Sequence, residues 1–197
     1  MRRGRVGSLT VVVSFSFLGA VLAPSAGAAT KISQWSPFAA DGSLRAGLSA
    51  APGYGGECFT GSFVVHNAFR CLQGNRLRDP CFADPSREDA VVCVPSPFAR
   101  IVVRLRFNGS LPSDSSARLG ALWALRLANG QRCTFLQGAT TVDGAGRRAN
   151  FACSGRRTVL WGNPNRTSKT WRIRLSHSYA PGPQPLVVVR EAFIGRG

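Results

Sequence analysis

The 197-residue sequence is poor in acidic residues and in lysine. It contains 9 Asp and Glu against 25 Lys and Arg, and its two lysines are Lys31 and Lys169. It has no CxxC pair and only two histidines, His66 and His177, which excludes the usual zinc-binding patterns. GxSxG, GDSGG, P-loop and GxGxxG motifs are absent, so no catalytic or nucleotide-binding signature is recognised. We therefore assign no catalytic residue, no metal and no cofactor.

The first 28 residues have the pattern of a secretory signal peptide. Three arginines precede an apolar run over residues 9–22, and residues 26–28 (Ala-Gly-Ala) form a small-x-small cleavage pattern. The run is shorter than the roughly 20 residues that span a bilayer, so we expect cleavage rather than anchoring. The sequence thus predicts a secreted, extracellular chain of about 169 residues with no transmembrane segment after cleavage.

All six cysteines follow the predicted signal peptide. An even number of cysteines in an exported chain indicates disulfide bonds rather than a metal site. The sequence does not distinguish among the possible pairings, and we predict nearest-neighbour pairing because it closes short loops. The predicted pairs are Cys58–Cys71, Cys81–Cys93 and Cys133–Cys153.

Alternation of apolar and polar residues with period two dominates the sequence after residue 57 and is typical of half-buried strands. The clearest runs are IVVRLRF (101–107), LWALRL (122–127) and TWRIRLS (170–176). Asn129-Gly130 predicts a tight hairpin turn between LWALRL and QRCTFL. Further strands are expected at SFVVHNAF (62–69), RANFACS (148–154), TVLW (158–161) and LVVVREAF (186–193), with a turn at residues 143–146.

These runs predict an all-β fold, a mostly antiparallel, disulfide-stabilised sandwich or small barrel with at most one short helix. Asp84-Pro85 is the candidate start of that helix, which would run to Ala90. Residues 29–56 are rich in Gly, Ala and Ser without a clear period, and they predict a flexible N-terminal spacer. A single β-rich domain would then span residues 57–197, and we expect a monomer.

The basic residues are concentrated in the second half of the chain. Residues 29–100 carry 7 basic and 6 acidic groups, whereas residues 101–197 carry 15 basic and 3 acidic groups. Arginines alternate with apolar residues in the predicted strands, so neighbouring strands would place them on one sheet face. The candidate anion-binding residues are Arg104, Arg106, Arg126, Arg147, Arg148, Arg156, Arg157, Arg166, Lys169, Arg172 and Arg174.

An arginine-rich sheet face suits an anionic extracellular partner, such as an acidic wall polymer, an anionic lipid headgroup or DNA. Ion pairing and counterion release would drive this binding, which would fall steeply with salt. The alternative is a solvated outer face whose arginine stems cover apolar surface. Sequence-specific nucleic-acid binding is not expected because no recognition helix is predicted. The leading hypothesis is a secreted non-catalytic binding module that contacts an anionic cell-envelope polymer or an extracellular protein.

Two other functions stay open. A secreted hydrolase would use a carboxylate of residues 79–89 or His66, whose segment FVVHNAFRC faintly resembles the histidine neighbourhood of trypsin-like proteases. It requires a histidine within hydrogen-bond reach of an acid or hydroxyl. A protein-interaction or inhibitor module would instead present the disulfide-closed loop of residues 80–93, and an exposed loop there would favour it.

Two segments share a distinctive cysteine pattern. GECFTGSFVVHNAFRCLQGNRLRDPCF (56–82) contains C-F-x-G-S, A-F-R-C, N-x-L and D-P-C-F, and LWALRLANGQRCTFLQGA (122–139) contains Trp-x-Leu followed by Asn-Gly-x-x-Cys. Together they resemble an uncharacterised exported six-cysteine module of high-GC Gram-positive bacteria. The resemblance implies export, disulfides, one domain and at most a sensing or binding role. Asn67 departs from the pattern, which often has an acid there, so no function that uses that acid is implied here.

Overall fold

The fold consists entirely of strands and turns in the described part of the chain. The computed structural model describes residues 28–113, 117–138, 140–155, 157–179 and 182–197. The predicted signal peptide, apart from Ala28, lies outside these ranges. Twelve strands and no helix occur within them, and thus no helix there is long and apolar enough to cross a membrane. The predicted all-β, mostly antiparallel class is confirmed.

The first five-stranded unit is a closed barrel. Neighbouring antiparallel strands are β2 (Ser49–Gly61), β3 (Phe69–Gln73), β4 (Arg76–Asp84), β5 (Arg87–Cys93) and β6 (Ile101–Phe107). A parallel pairing of β2 with β6 closes the ring. The closure requires a glycine, because a Cβ on Gly56 would lie 2.5 Å from Cγ of Leu105. Apolar side chains of β5 and β6 fill the interior, among them Val91, Leu105 and Phe107.

The second half of the chain forms another ring of strands. These are β7 (Leu122–Leu127), β8 (Arg132–Phe135), β9 (Ala149–Cys153), β10 (Val159–Asn165), β11 (Arg172–Ser176) and β12 (Leu186–Gly195). They are antiparallel neighbours in chain order, and β12 returns to pair with β7. The N-terminal strand β1 (Lys31–Trp35) joins this ring by pairing in parallel with β12. The interior contains Leu125, Phe151, Leu160, Ile173 and Val189.

All three predicted disulfides are confirmed. Each one joins two residues that face each other directly across neighbouring antiparallel strands. The linked residues are 12 to 20 positions apart in the sequence, so each bond contributes about 3 kcal/mol on the chain-entropy estimate. Three such bonds in one short chain are typical of an oxidising, extracellular environment.

The hairpin predicted at Asn129-Gly130 is also confirmed. Gly130 has φ +85° and donates its N–H to the carbonyl of Leu127 at 3.0 Å. Asn129 supports the turn by accepting the backbone N–H of Gln131 through Oδ1 at 3.1 Å. The turn therefore places the glycine alone at positive φ, and it brings β7 and β8 together as the sequence predicts.

The predicted N-terminal spacer over residues 29–56 is wrong. This segment contains β1 and the first half of β2, and the Trp35 side chain is buried. The composition that resembled a linker has a packing cause instead, because Gly53 and Gly56 allow the backbone of β2 to approach β6 closely. The folded unit thus begins before residue 57.

Two further local predictions are wrong because side-chain oxygens form turns. SFVVHNAF is a bend rather than a strand, since Oγ of Ser62 accepts the backbone N–H groups of Val64 and Val65 at 3.1 Å each. Asp84 does not cap a helix. Its Oδ1 accepts the backbone N–H of Ser86 at 3.0 Å, and this turn connects β4 directly to β5.

One hydrophobic cluster joins the two barrels. Trp35 of β1 lies 5.1 Å from Trp123 of β7 and 6.3 Å from Phe82 of β4, measured between ring centroids. Val65 from the bend and Phe193 from β12 pack into the same cluster. The aromatic residues that connect the barrels are therefore contributed by distant parts of the chain, including the N-terminal strand.

Replacing Trp35 is expected to destabilise the whole fold. Removal of a large buried aromatic side chain leaves a cavity, so Trp35→Ala should lower the free energy of unfolding by about 3–5 kcal/mol. Chemical denaturation followed by circular dichroism measures this change. The matched control is Ile32→Ala on the same strand, where the side chain is 54 % exposed and an effect within about 0.5 kcal/mol is expected. Equal losses in both variants would contradict a bridging role for Trp35.

Candidate anion-binding pocket

The predicted arginine face is divided between the two barrels. Arg104 and Arg106 lie on β6, whose neighbours are β2 and β5. Arg172 and Arg174 lie on β11, whose neighbours are β10 and β12, and Arg126 lies on β7. The five residues therefore do not share one sheet face. The alternation in the sequence predicted each strand but not which strands would be its neighbours.

Four of the predicted arginines are paired with the few acids of the chain. Arg106 binds Asp89 at 2.6 Å on the exposed surface, and Arg104 binds the buried carboxylate of Asp84 at 2.7 Å. The other two pairs are Arg126 with Glu191 at 3.5 Å and Arg147 with Asp143 at 2.8 Å. These acids already partly satisfy the four guanidinium groups, so β6 and β7 do not offer the uncompensated charge that the sequence predicted.

The remaining predicted residues have different environments. Arg148 donates to Oγ1 of Thr140 at 2.7 Å and to two backbone carbonyls, and Arg166 lies 5.0 Å from the ring centroid of Trp171. Arg157 and Lys169 are exposed. Arg156 lies outside the described residues.

A bulge in β10 opens a pocket on the outer surface of the second barrel. Trp161 of β10 pairs with Arg174 of β11, and the next pair is Asn165 with Arg172. Three residues of β10 (162–164) therefore lie opposite a single residue of β11, Ile173. Gly162 permits this departure with φ +68°. The resulting cavity has a volume of about 390 Å³. Its polar lining residues are Arg147, Asn163, Asn165, Ser168, Thr170, Arg172 and Arg174.

Three of the predicted arginines converge on this pocket. Arg172 is exposed, and its side chain has no hydrogen-bond, ion-pair or ring partner within the described ranges. Arg174 donates Nη1 to the backbone carbonyl of Gln184 at 3.5 Å. Arg147 contributes its guanidinium from the turn before β9. No acidic side chain is among the described residues that line this cavity, so its charge is positive and its remaining polar groups are neutral.

Arg147 is held in position by a network on the rim of the pocket. The backbone N–H groups of Ala145 and Arg147 and the Arg147 Nε donate to Asp143, and Nη2 of Arg147 donates to Oε1 of Gln184 at 3.1 Å. Burial alone would raise the pKa of Asp143, but the hydrogen bonds from Arg147, Gln184 and Ala145 outweigh it and lower the pKa to about 2. The carboxylate is thus ionised whenever the pocket operates near neutral pH.

Asn163 and Asn165 were not predicted as site residues. Oδ1 of Asn163 accepts from Asn150 at 3.2 Å, and Oδ1 of Asn165 accepts the backbone N–H of Thr167 at 2.9 Å. The Nδ2 groups of both asparagines have no acceptor within the described residues, so they remain able to donate to a ligand. The signal for this site is the segment Gly162-Asn163-Pro164-Asn165, since glycine and proline inside a strand indicate a bulge.

Among the described residues, the hydrolase hypothesis finds one histidine–hydroxyl contact and no histidine–carboxylate pair. Nδ1 of His66 lies 3.2 Å from the backbone carbonyl of Ala117, and Nδ1 of His177 lies 3.3 Å from Oγ1 of Thr158. Within the described ranges, neither histidine lies within 4.0 Å of a carboxylate. The hydroxyl contact of His177 lacks the orienting acid that a catalytic triad needs.

The carboxylates of residues 79–89 are mostly engaged in the structure of the first barrel. Asp79 accepts from Oγ of Ser62 and pairs with Arg70, and its buried carboxyl has a pKa raised above the ordinary value by burial despite these contacts. Asp84 forms its turn, and Asp89 pairs with Arg106. Glu88 is exposed. No two of them form a facing pair across a cavity lined by described residues.

The segment 80–93 is a strand hairpin rather than a protruding loop. It belongs to β4 and β5, which are part of the closed barrel, and the disulfide joins opposite residues of the two strands. The sulfurs of Cys71, Cys81 and Cys93 lie within 4.8 Å of one another, but all three are in disulfides. They therefore offer no thiolate to a metal ion.

No family model, no curated protein and no solved structure matches this chain. The candidate pocket combines three arginines, two asparagine amides and two hydroxyls around one cavity.

Asp143 is expected to make stability depend on acid pH. Its pKa in the fold is about 2 against an ordinary value of 3.8, so the carboxylate stabilises the fold above about pH 4 and this contribution is lost as the pH falls toward 2. Asp143→Asn should therefore lower the free energy of unfolding at pH 7 and reduce its decline between pH 4 and 2. Denaturant titrations at each pH measure both effects. Glu88→Gln is the matched control, and an unchanged acid profile in Asp143→Asn would contradict the assigned network.

Proposed function

We propose that this protein is a secreted, non-catalytic binding module that contacts an anionic extracellular or cell-wall partner. Its contact surface is the pocket lined by Arg147, Arg172 and Arg174 rather than a whole sheet face. The observation that carries the proposal is the convergence of three guanidinium groups on one cavity that no described acid enters. The resemblance to an exported bacterial module and the signal-peptide pattern support the secreted location.

The environment of Arg172 is the main electrostatic support for this function. Like charges on neighbouring positions of a sheet destabilise it unless counterions or a ligand compensate them. Arg172 and Arg174 point away from the barrel interior on the same face of β11, and the neighbouring residues Ile173 and Leu175 are buried. An anionic group in the pocket would accept charge-assisted hydrogen bonds from both arginines, and such bonds are the stronger class in proteins.

The pocket also fits a binding role better than a catalytic one. The groups that line it are arginines, amides and hydroxyls, which bind and orient an anion without exchanging protons near neutral pH. A general acid or base would have to come from outside the described lining. Binding is therefore expected to be salt-dependent, because released counterions contribute to the affinity for a polyanion.

Charge reversal in the pocket is expected to abolish binding to a polyanion. Arg172→Glu with Arg174→Glu removes two charge-assisted contacts, each worth about 1.5–3 kcal/mol, so affinity for heparin should fall by about 100-fold or more. Retention on a heparin resin and titration calorimetry at two salt concentrations measure this loss.

The matched control for that variant is Arg76→Glu with Arg87→Glu. Both control residues are exposed arginines of the first barrel whose side chains have no hydrogen-bond or ion-pair partner among the described residues, and the double control has the same net charge as the pocket variant. It should keep most of the affinity of the wild-type protein. Equal losses in the two double variants would show that only net charge matters, and equal retention of both would overturn the proposed pocket. Circular dichroism establishes that all variants are folded.

A further inference from the structure

The pocket has a neighbour that shares two of its arginines. A second cavity of about 340 Å³ adjoins it and is lined by Asp143, Gly144, Ala145, Gly182 and Gln184, together with Arg147 and Arg174. We call the cavity with Asn163 and Arg172 the first basin and the cavity with Ala145 the second basin. Both volumes lie within the range of small-molecule sites. The two basins adjoin each other at Arg147 and Arg174, which line both.

The shared arginines are fixed from one side by a single residue. Gln184 accepts from Nη2 of Arg147 through Oε1 at 3.1 Å and from Nη1 of Arg174 through its backbone carbonyl at 3.5 Å. The two guanidinium groups thus lie between the basins and are held in position to donate hydrogen bonds to a ligand. Along this path, Arg172 and the shared pair are positive, and beyond them lies the carboxylate of Asp143, which Arg147 compensates. An occupant of both basins therefore meets positive charge in the first basin and at the shared pair, but not throughout.

The walls between the charges are neutral and polar. Asn163 and Asn165 present amide donors at the first basin, and Ser168 also borders it. The second basin is bordered by the small residues Gly144, Ala145 and Gly182, which leave room for a bulky uncharged unit. The second basin also contains the carboxylate of Asp143, which accepts hydrogen bonds from hydroxyl groups and repels an anion, so a bare chain of phosphates fits it poorly.

From these features we infer that the ligand is a repeating, hydroxyl-bearing polyanion that spans both basins, with one anionic group at Arg172 and Arg174 and the next repeat unit in the second basin. This inference rests on the proposed function. An anionic glycan and a polyol phosphate share this chemistry. Linked units bind as one molecule, so the second basin adds affinity only when the chain is long enough to reach it.

The test is the dependence of affinity on chain length. Heparin-derived oligosaccharides and glycerol phosphate oligomers, each in a series of increasing length, are titrated into the full protein by calorimetry. In at least one series we expect a step of about tenfold or more at the length that fills both basins, and then only a gradual rise. The series that binds more tightly identifies the source of the polymer. A smooth gradual rise in both series, without a step, would overturn the inference while leaving the proposed function intact.

A variant in the second basin separates the inference from the proposed function. Ala145 is exposed and lines the second basin but not the first, so Ala145→Trp should fill the second basin alone. Short oligomers should bind as they do to the wild-type protein, and the length step should disappear. Ala83→Trp on the exposed face of β4 is the control and should keep the step. A step that persists in Ala145→Trp would overturn the assignment of the second basin, and absence of binding by all oligomers would instead refute the proposed function.

Inorganic polyphosphate tests the hydroxyl requirement. It carries repeated anionic groups without hydroxyls, so it should bind at least about tenfold more weakly than the preferred oligomer of similar length and charge. Asp143→Asn removes the carboxylate from the second basin and should narrow this difference by strengthening polyphosphate binding. Equal affinity of the wild-type protein for the two polymers, or an unchanged difference in Asp143→Asn, would show that the pocket recognises charge alone and would overturn this part of the inference.

Discussion

The packing of Trp35 against Trp123 and Phe82 is the contact on which the rest of the structure depends. Each barrel closes through its own hydrogen bonds and encloses its own apolar residues, but neither explains why the barrels stay together. The joint cluster does so, because it takes residues from β1, from the bend after β2 and from strands of both rings. Strand β1 consequently helps to hold the two barrels together. It adds to β12 by parallel pairing and inserts its aromatic end between the barrels.

The second organising constraint is the scarcity of acids. Asp84, Asp89, Asp143 and Glu191 each pair with an arginine, so the acids decide which arginines remain available to a ligand. On β6 and β7 the basic residues are neutralised by partners within the fold. On β11 they are not, and the bulge in β10 removes the neighbouring backbone just where Arg172 and Arg174 emerge. Free charge and empty volume therefore coincide in one place on the second barrel.

Much of the local structure could be predicted because it depends on residues close together in the sequence. Alternating side chains in IVVRLRF and TWRIRLS indicate strands, and Asn129-Gly130 indicates the turn between β7 and β8. Predictions failed where a side chain competed with the backbone, as Ser62 and Asp84 do, or where glycine served close packing rather than flexibility, as in β2. These contacts join residues whose spatial relation is not encoded by periodicity.

The amino-acid sequence by itself determined the all-β class and most strands, since strand alternation and hairpin connections between sequence neighbours are local properties. The nearest-neighbour pairing of the six cysteines was one choice among many, and the structure confirmed it. Only the tertiary structure decided the division into two barrels, the role of β1 and the identity of the pocket. Arg147 meets Gln184, and Arg126 meets Glu191, across long stretches of chain. Such pairs form only when each strand has its final neighbours, and the packing of the whole core determines those neighbours.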